Sequence, residues 1–158
     1  MSNCPSMSRR SALTLVVGIG ALIIGRGEAS ERSAVTIHKD PNCGCCTGWA
    51  QHLAKAGFEV KTVDTTRLDE VKKRLGVPLD LAACHTAEVD GYVVEGHVPA
   101  LALKRFLSEK PDASGLAVPG MPIGSPGMEG GTPEIYTVIL FGPNGRQNYM
   151  RFLGNRAV

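Results

Sequence analysis

Apolar and polar residues alternate in short stretches along this chain and repeatedly give way to helical spacing. Val35-Thr36-Ile37-His38 is β-branched and alternating, which predicts a first strand. Asp40-Pro41-Asn42 then turns the chain. From Cys46 to Ala56 the residues Trp49, Leu53 and Ala56 recur at helical spacing, and Gly57 offers a C-cap. Phe58 to Val63 alternates again and predicts a strand. Thr66 is placed to cap a helix with Leu68, Val71 and Leu75 on one face, ended by Gly76 and Pro78. Between Thr86 and Glu95, Asp90-Gly91 separates two β-prone runs, a hairpin signal. Pro99 to Leu107 predicts a helix carrying Leu103, Phe106 and Leu107. Gly115 to Pro133 has no periodicity and holds six Gly, four Pro and two Met, so it predicts a surface loop. Ile135–Phe141 and Asn148–Leu153 flank Gly142-Pro143-Asn144-Gly145 as a C-terminal hairpin. This order fits a small α/β domain with a mixed sheet.

The N-terminus follows a different pattern. Ser8-Arg9-Arg10 precedes an apolar run from Ala12 to Gly25, and Gly27-Glu28-Ala29 is a small-x-small exit. The run is shorter than the roughly 20 residues a membrane span needs. Residues 1–29 therefore read as an export signal cleaved near Ala29, leaving 30–158 as one domain in the periplasm with no stable membrane insertion. The Arg pair fits the twin-arginine route or the general one, although Ala12 stands where the twin-arginine pattern has Phe. Arg9, Arg10, Arg26 and Glu28 account for the whole net charge of +2, because 14 of the 17 basic and 14 of the 15 acidic side chains lie beyond them. A neutral mature chain gives no electrostatic case for nucleic acid, and a single Trp gives no stacking platform for it.

Cys4 leaves with the leader, and Cys43, Cys45, Cys46 and Cys84 remain. Two dispersed staples are not available, because three of these lie within four residues. Cys43 and Cys46 have the CxxC spacing and could close, leaving Cys45 with Cys84. The cluster falls between a strand end and a helix start, the thioredoxin arrangement, where unpaired N–H groups and the positive helix end favour thiolate. A thiolate either attacks disulfides or binds soft metals.

The other donors bear on that choice. Cys84-His85, His97, Met121 and Met128 add borderline and soft ligands, and together with the cysteines they describe a copper-type set. Taken singly, His85 and His97 also read as surface or capping residues, and the two methionines as anchors packing a loop on the core. His38 ends the first strand near the cluster and could support a ligand, His52 reads as solvated, and Trp49 as core. Val77-Pro78 could be the proline that thioredoxin-like folds set opposite their cysteines.

Four stretches carry a resemblance: Asp40-Pro-Asn-Cys-Gly-Cys-Cys-Thr-Gly-Trp49, Cys84-His-Thr-Ala87, Gly91-Tyr-Val-Val-Glu-Gly-His-Val-Pro99 and Gly120-Met-Pro-Ile-Gly-Ser-Pro-Gly-Met-Glu129. In this order they closely resemble the CopG-type family of exported bacterial metal-binding proteins, often associated with copper resistance. The resemblance covers about Val35 to Phe141. It implies a thioredoxin-like mixed sheet with flanking helices, an inserted Gly/Pro/Met loop and the C-terminal hairpin. It implies copper ions as ligand, with Cys43, Cys45, Cys46 and Cys84 as thiolates and His85, His97, Met121 and Met128 as further candidates. The function implied is sequestration of copper, or its cycling between Cu(I) and Cu(II), with other periplasmic copper-handling proteins as partners. The competing reading is a thiol–disulfide oxidoreductase acting on copper-site cysteines through Cys43 and Cys46, whose disulfide would block copper binding until reduced.

Overall fold

The structure is a computed structural model and describes residues 33–158. The leader expected over residues 1–29 lies outside the described residues. Strand β1 (Ala34–Lys39) runs into helix α1 (Gly44–Lys55), then β2 (Glu59–Asp64) and α2 (Leu68–Arg74). The hairpin β3 (His85–Val89) and β4 (Tyr92–Gly96) turns at Asp90-Gly91, both with positive φ, as a two-residue turn between right-twisted strands requires. Helix α3 (Ala100–Glu109) crosses over to β5 (Gly115–Val118), which lies parallel to β4. The chain closes with β6 (Ile135–Gly142), β7 (Gly145–Leu153) and the short β8 (Arg156–Ala157).

All eight strands form one mixed sheet in the order β2-β1-β3-β4-β5-β6-β7-β8. β1 is parallel to β2 and antiparallel to β3, so β1-α1-β2-α2-β3-β4-α3 is a thioredoxin-like unit, which β5 to β8 extend at one side. Side-chain alternation sorts the two faces. Val35, Ile37, Ala87, Val94 and Leu116 pack with Trp49 and Leu53 of α1 and Leu103 and Phe106 of α3. Val93, Ala117 and Phe141 point the other way, against Val77 and Leu81.

Several expectations change. Gly115–Val118 is a strand and not the start of a loop: its four residues are all buried in the middle of the sheet. A strand covered on both faces shows no alternation, and this one is too short to show a run. Gly115 is needed there because a Cβ would sit 1.8 Å from the Val93 carbonyl oxygen. In α2 the buried side chain is Lys72, while Leu68, Val71 and Leu75 are only half-buried. Thr65, not Thr66, makes the local bond at its start, accepting from the Arg67 N–H. Pro78 follows a trans bond, as does every described residue, and begins the turn Leu79–Leu81.

Candidate metal centre

The turn at Asp40 delivers Cys43 to the start of α1, its N–H bonded to the Asp40 carbonyl. Cys43 is the N-cap residue, and its Sγ accepts the Cys46 N–H at 3.4 Å. Cys45 and Cys46 follow in the first turn, where the helix leaves its N–H groups unpaired. Cys43 and Cys46 are joined in a disulfide with their Cα atoms 5.4 Å apart; Cys45 and Cys84 are free. The Cys45 sulfur lies 3.5 Å from that of Cys43 and 3.8 Å from that of Cys84.

Cys84 reaches the cluster from the residue before β3, and two imidazoles flank it. Its sulfur is 3.4 Å from His85 Nδ1 and 3.1 Å from His97 Nε2. His97 Nδ1 meets the Pro126 carbonyl at 2.7 Å, so the proton belongs on Nδ1 and the lone pair of Nε2 faces Cys84. His85 is fully buried, 4.4 Å from the Trp49 ring, and its Nε2 has no hydrogen-bond partner. Two donor groups result, Cys43/Cys45/Cys46/Cys84 and Cys84/His85/His97, with Cys84 common to both.

Burial sets the protonation state of these groups. Burial, then the neighbouring Cys45, pushes the Cys84 thiol up to about 12, so a metal must displace its proton. Burial pushes His85 down to about 3 and lowers His97 as well, the latter opposed by the Pro126 carbonyl and Glu129. Both imidazoles are therefore neutral, the state that binds metal. On the opposite face of the sheet the fully buried Glu95 accepts from the Ala83 N–H at 2.6 Å and the Thr86 hydroxyl at 2.7 Å, one bond on each side of Cys84-His85. Lys72 Nζ donates to the same carboxylate at 2.5 Å and to Thr86 at 2.9 Å. Burial raises the Glu95 carboxyl, while Lys72 and the other donors hold it down.

The Gly/Pro/Met loop lies against the start of α1. Gly127, at φ +87°, packs so closely that a Cβ would come within 2.4 Å of the Cys45 carbonyl oxygen and 2.7 Å of the Trp49 nitrogen. Met128 follows it, half-buried; Met121 is half-exposed. His38 serves the α2 face instead, bonded to Glu88 at 2.9 Å. His52 is not merely solvated: its Nε2 accepts the Ala100 N–H at 3.0 Å, at the start of α3. The sequence reading gave no role to Glu95, Lys72 or the carbonyl of Pro126, although Pro126 lies in the Gly120–Glu129 stretch quoted above. Glu95 does stand in one of the four stretches singled out above, two residues before His97, and its charge within an apolar strand was the available signal.

Fold and site together define a thioredoxin-like domain whose helix start and facing strand ends bring together thiols and imidazoles that could hold a metal ion. Two solved structures, "Copper resistance protein copG- Form 2" and "Copper resistance protein copG- Form 1", are each 44% identical to the chain with a TM-score of 0.73. The first covers 77% of this chain and 99% of its own; the second covers 78% and 100%. The family described as "Protein of unknown function, DUF411" matches residues 81–128, and no curated protein matches. The chain belongs to the CopG copper-resistance family.

Proposed function

We propose that this is an exported copper-binding protein that sequesters copper or cycles it between Cu(I) and Cu(II). One observation carries the reading: three cysteine sulfurs and two neutral buried imidazoles converge on the sulfur of Cys84, and no cluster of carboxylates competes with them among the described residues. Thiolates suit Cu(I), and imidazoles extend the set toward Cu(II), so the mixture fits an ion that changes valence. Copper is here the cargo, held by Cys43, Cys45, Cys46 and Cys84 with His85 and His97, and the thioethers of Met121 and Met128 complete the proposed set. Cys43 and Cys46 bind only when their disulfide is open. The leader pattern supports the periplasm as the place of action, and no described helix is long and apolar enough to cross a membrane.

The closed Cys43–Cys46 disulfide at a helix start favours a second reading, a thiol–disulfide oxidoreductase acting on cysteines of copper-handling partners. The two separate on Cys45 and Cys84, which disulfide exchange does not need. Reduced protein loaded with Cu(I) should lose bound copper in Cys45→Ser and Cys84→Ser, measured by metal analysis after desalting. Unchanged stoichiometry in both variants would leave the oxidoreductase.

A further inference from the structure

The sheet ends unevenly on its β8 side. β8 pairs only with Phe152 and Leu153 of β7, and next to them the Arg151 carbonyl accepts the Val158 N–H at 2.9 Å. No described strand pairs with the outer side of Gly145–Met150. The two-residue turn makes Gly142 and Gly145 the bonded pair, so alternation points the backbone N–H and C=O of Arg146 and Asn148 away from β6. Unpaired groups of this kind are a template for a further strand.

The two faces of this edge differ in chemistry. Gly145 to Val158 holds three arginines and no Asp or Glu, whereas β2 at the opposite edge mixes Glu59, Lys61 and Asp64. The register places Arg146, Arg151 and Arg156 on one face. Arg146 is held by Asp80 at 2.8 Å, while Arg151 and Arg156 are exposed and have no acidic partner among the described residues. On the other face Tyr149 and Met150, both half-buried, pack on the main core. The bulge opposite Val138 and Ile139 turns Tyr149 onto α3, where its hydroxyl donates to Glu109 at 2.7 Å and Arg105 lies 5.0 Å over its ring. Tyr149, Met150 and Arg105 wall a groove of about 370 Å³ along the strand, with room for apolar side chains.

We propose that the open edge of β7 pairs with an extended acidic segment of a partner protein, one that alternates carboxylate and apolar side chains. Docked in line with β8, its backbone meets that of Arg146 and Asn148, its carboxylates lie on the arginine face and its apolar side chains enter the groove. A second copy of this chain is the poorer occupant, because pairing two β7 strands adds arginine to arginine. β7 lies four strands from β3, about 19 Å at ~4.8 Å per strand, so the docked segment leaves the thiols and imidazoles uncovered. The inference does not rest on the copper reading.

The test titrates the full chain into a fluorescent octapeptide that alternates Glu and Val, and reads anisotropy. This peptide should bind about tenfold more tightly than a Lys/Val peptide of the same pattern, the order expected of two cross-strand charge pairs. A Glu/Val peptide with proline at its centre should not bind. Arg151→Glu with Arg156→Glu should invert the preference between the Glu and Lys peptides. Asn148→Pro removes an outward N–H and spares the bonds to β6, so it should abolish binding with the circular dichroism unchanged. No binding of the Glu/Val peptide by the unmutated chain, or equal binding of the proline peptide, would overturn the inference, and neither result depends on a variant folding. A dimer in sedimentation that Asn148→Pro disperses would give the edge to a second copy and overturn it as well. Cu(I) uptake by the reduced chain is measured with and without the peptide and should be equal. Uptake that falls only when the peptide is bound would place the contact at the centre and overturn the edge, whereas no uptake in either case would overturn the copper reading alone.

Discussion

Glu95 holds a carboxylate away from solvent, and its bonds explain the arrangement. It grips Ala83 and Thr86 on either side of Cys84-His85, and Lys72 neutralises it from α2. A buried ion pair adds little net stability, but removing one partner strands the other charge, at a cost of about 3–5 kcal/mol. Lys72→Met should therefore lower stability by roughly that amount in denaturant unfolding, and adding Glu95→Gln should recover much of it. Glu95→Gln alone keeps an acceptor for the Ala83 N–H and loses the charge. Its metal affinity, read by chelator competition, should fall on the order of 10-fold, as for other groups that orient ligands. Unaltered affinity would limit the pair to folding. Cys43, Cys45 and Cys46 stood out in the sequence because three thiols within four residues exceed what one disulfide uses, and Cys84 stood out only beside His85. Glu95 and Lys72 did not, because pairing across 23 residues leaves no local trace.

Two contacts between elements decide how the centre is covered. Gly127 fits against α1 only without a side chain, so Gly127→Ala should lift the loop off the helix start and free the His97 tautomer set by Pro126. Gly130→Ala is the control: its φ of +125° is equally unsuited to a side chain, but its surroundings are open. Limited proteolysis should cut the loop faster in Gly127→Ala and much less so in Gly130→Ala. The other contact is His52, whose unprotonated Nε2 accepts the first N–H of α3. Burial lowers its pKa, with Glu129 opposing, so the folded state resists protonation more than the unfolded chain does. That stabilisation is complete above the ordinary histidine value of about 6.5 and is lost as pH falls below it. His85 and His97 act in the same direction. His52→Ala should cost about 1 kcal/mol at neutral pH, the usual worth of a helix cap, and should flatten the acid limb of the stability profile. An unchanged acid limb would assign the whole pH response to the two site histidines.

At the scale of the molecule, the β-α-β-α-β-β-α order was readable because each of those seven elements carries its own periodicity or punctuation. Asp90-Gly91 and Gly142-Pro143-Asn144-Gly145 fixed both hairpins. What could not be read was how the halves join. β5 makes the C-terminal hairpin continuous with the thioredoxin-like sheet, and its four buried residues look like the edge of a Gly/Pro segment. The convergence of Cys84, His85 and His97 on the cysteine cluster follows from the antiparallel register of β3 with β1 and β4, which pairs Lys39 with His85 and Thr86 with Glu95. Register is a long-range property, and separate motifs do not show it. The same convergence places the chain's single tryptophan, anchored through its ring N–H to the Val98 carbonyl, against the His85 imidazole. Trp49 is thus an optical reporter built into the wall of the centre. Its emission should start blue-shifted, because the indole is fully buried, and should be quenched stoichiometrically when a paramagnetic ion such as Co2+ arrives a few ångströms away. A single emitter gives one unmixed signal, so occupancy could be followed in real time without a label, and His85→Ala should uncouple the light from the metal.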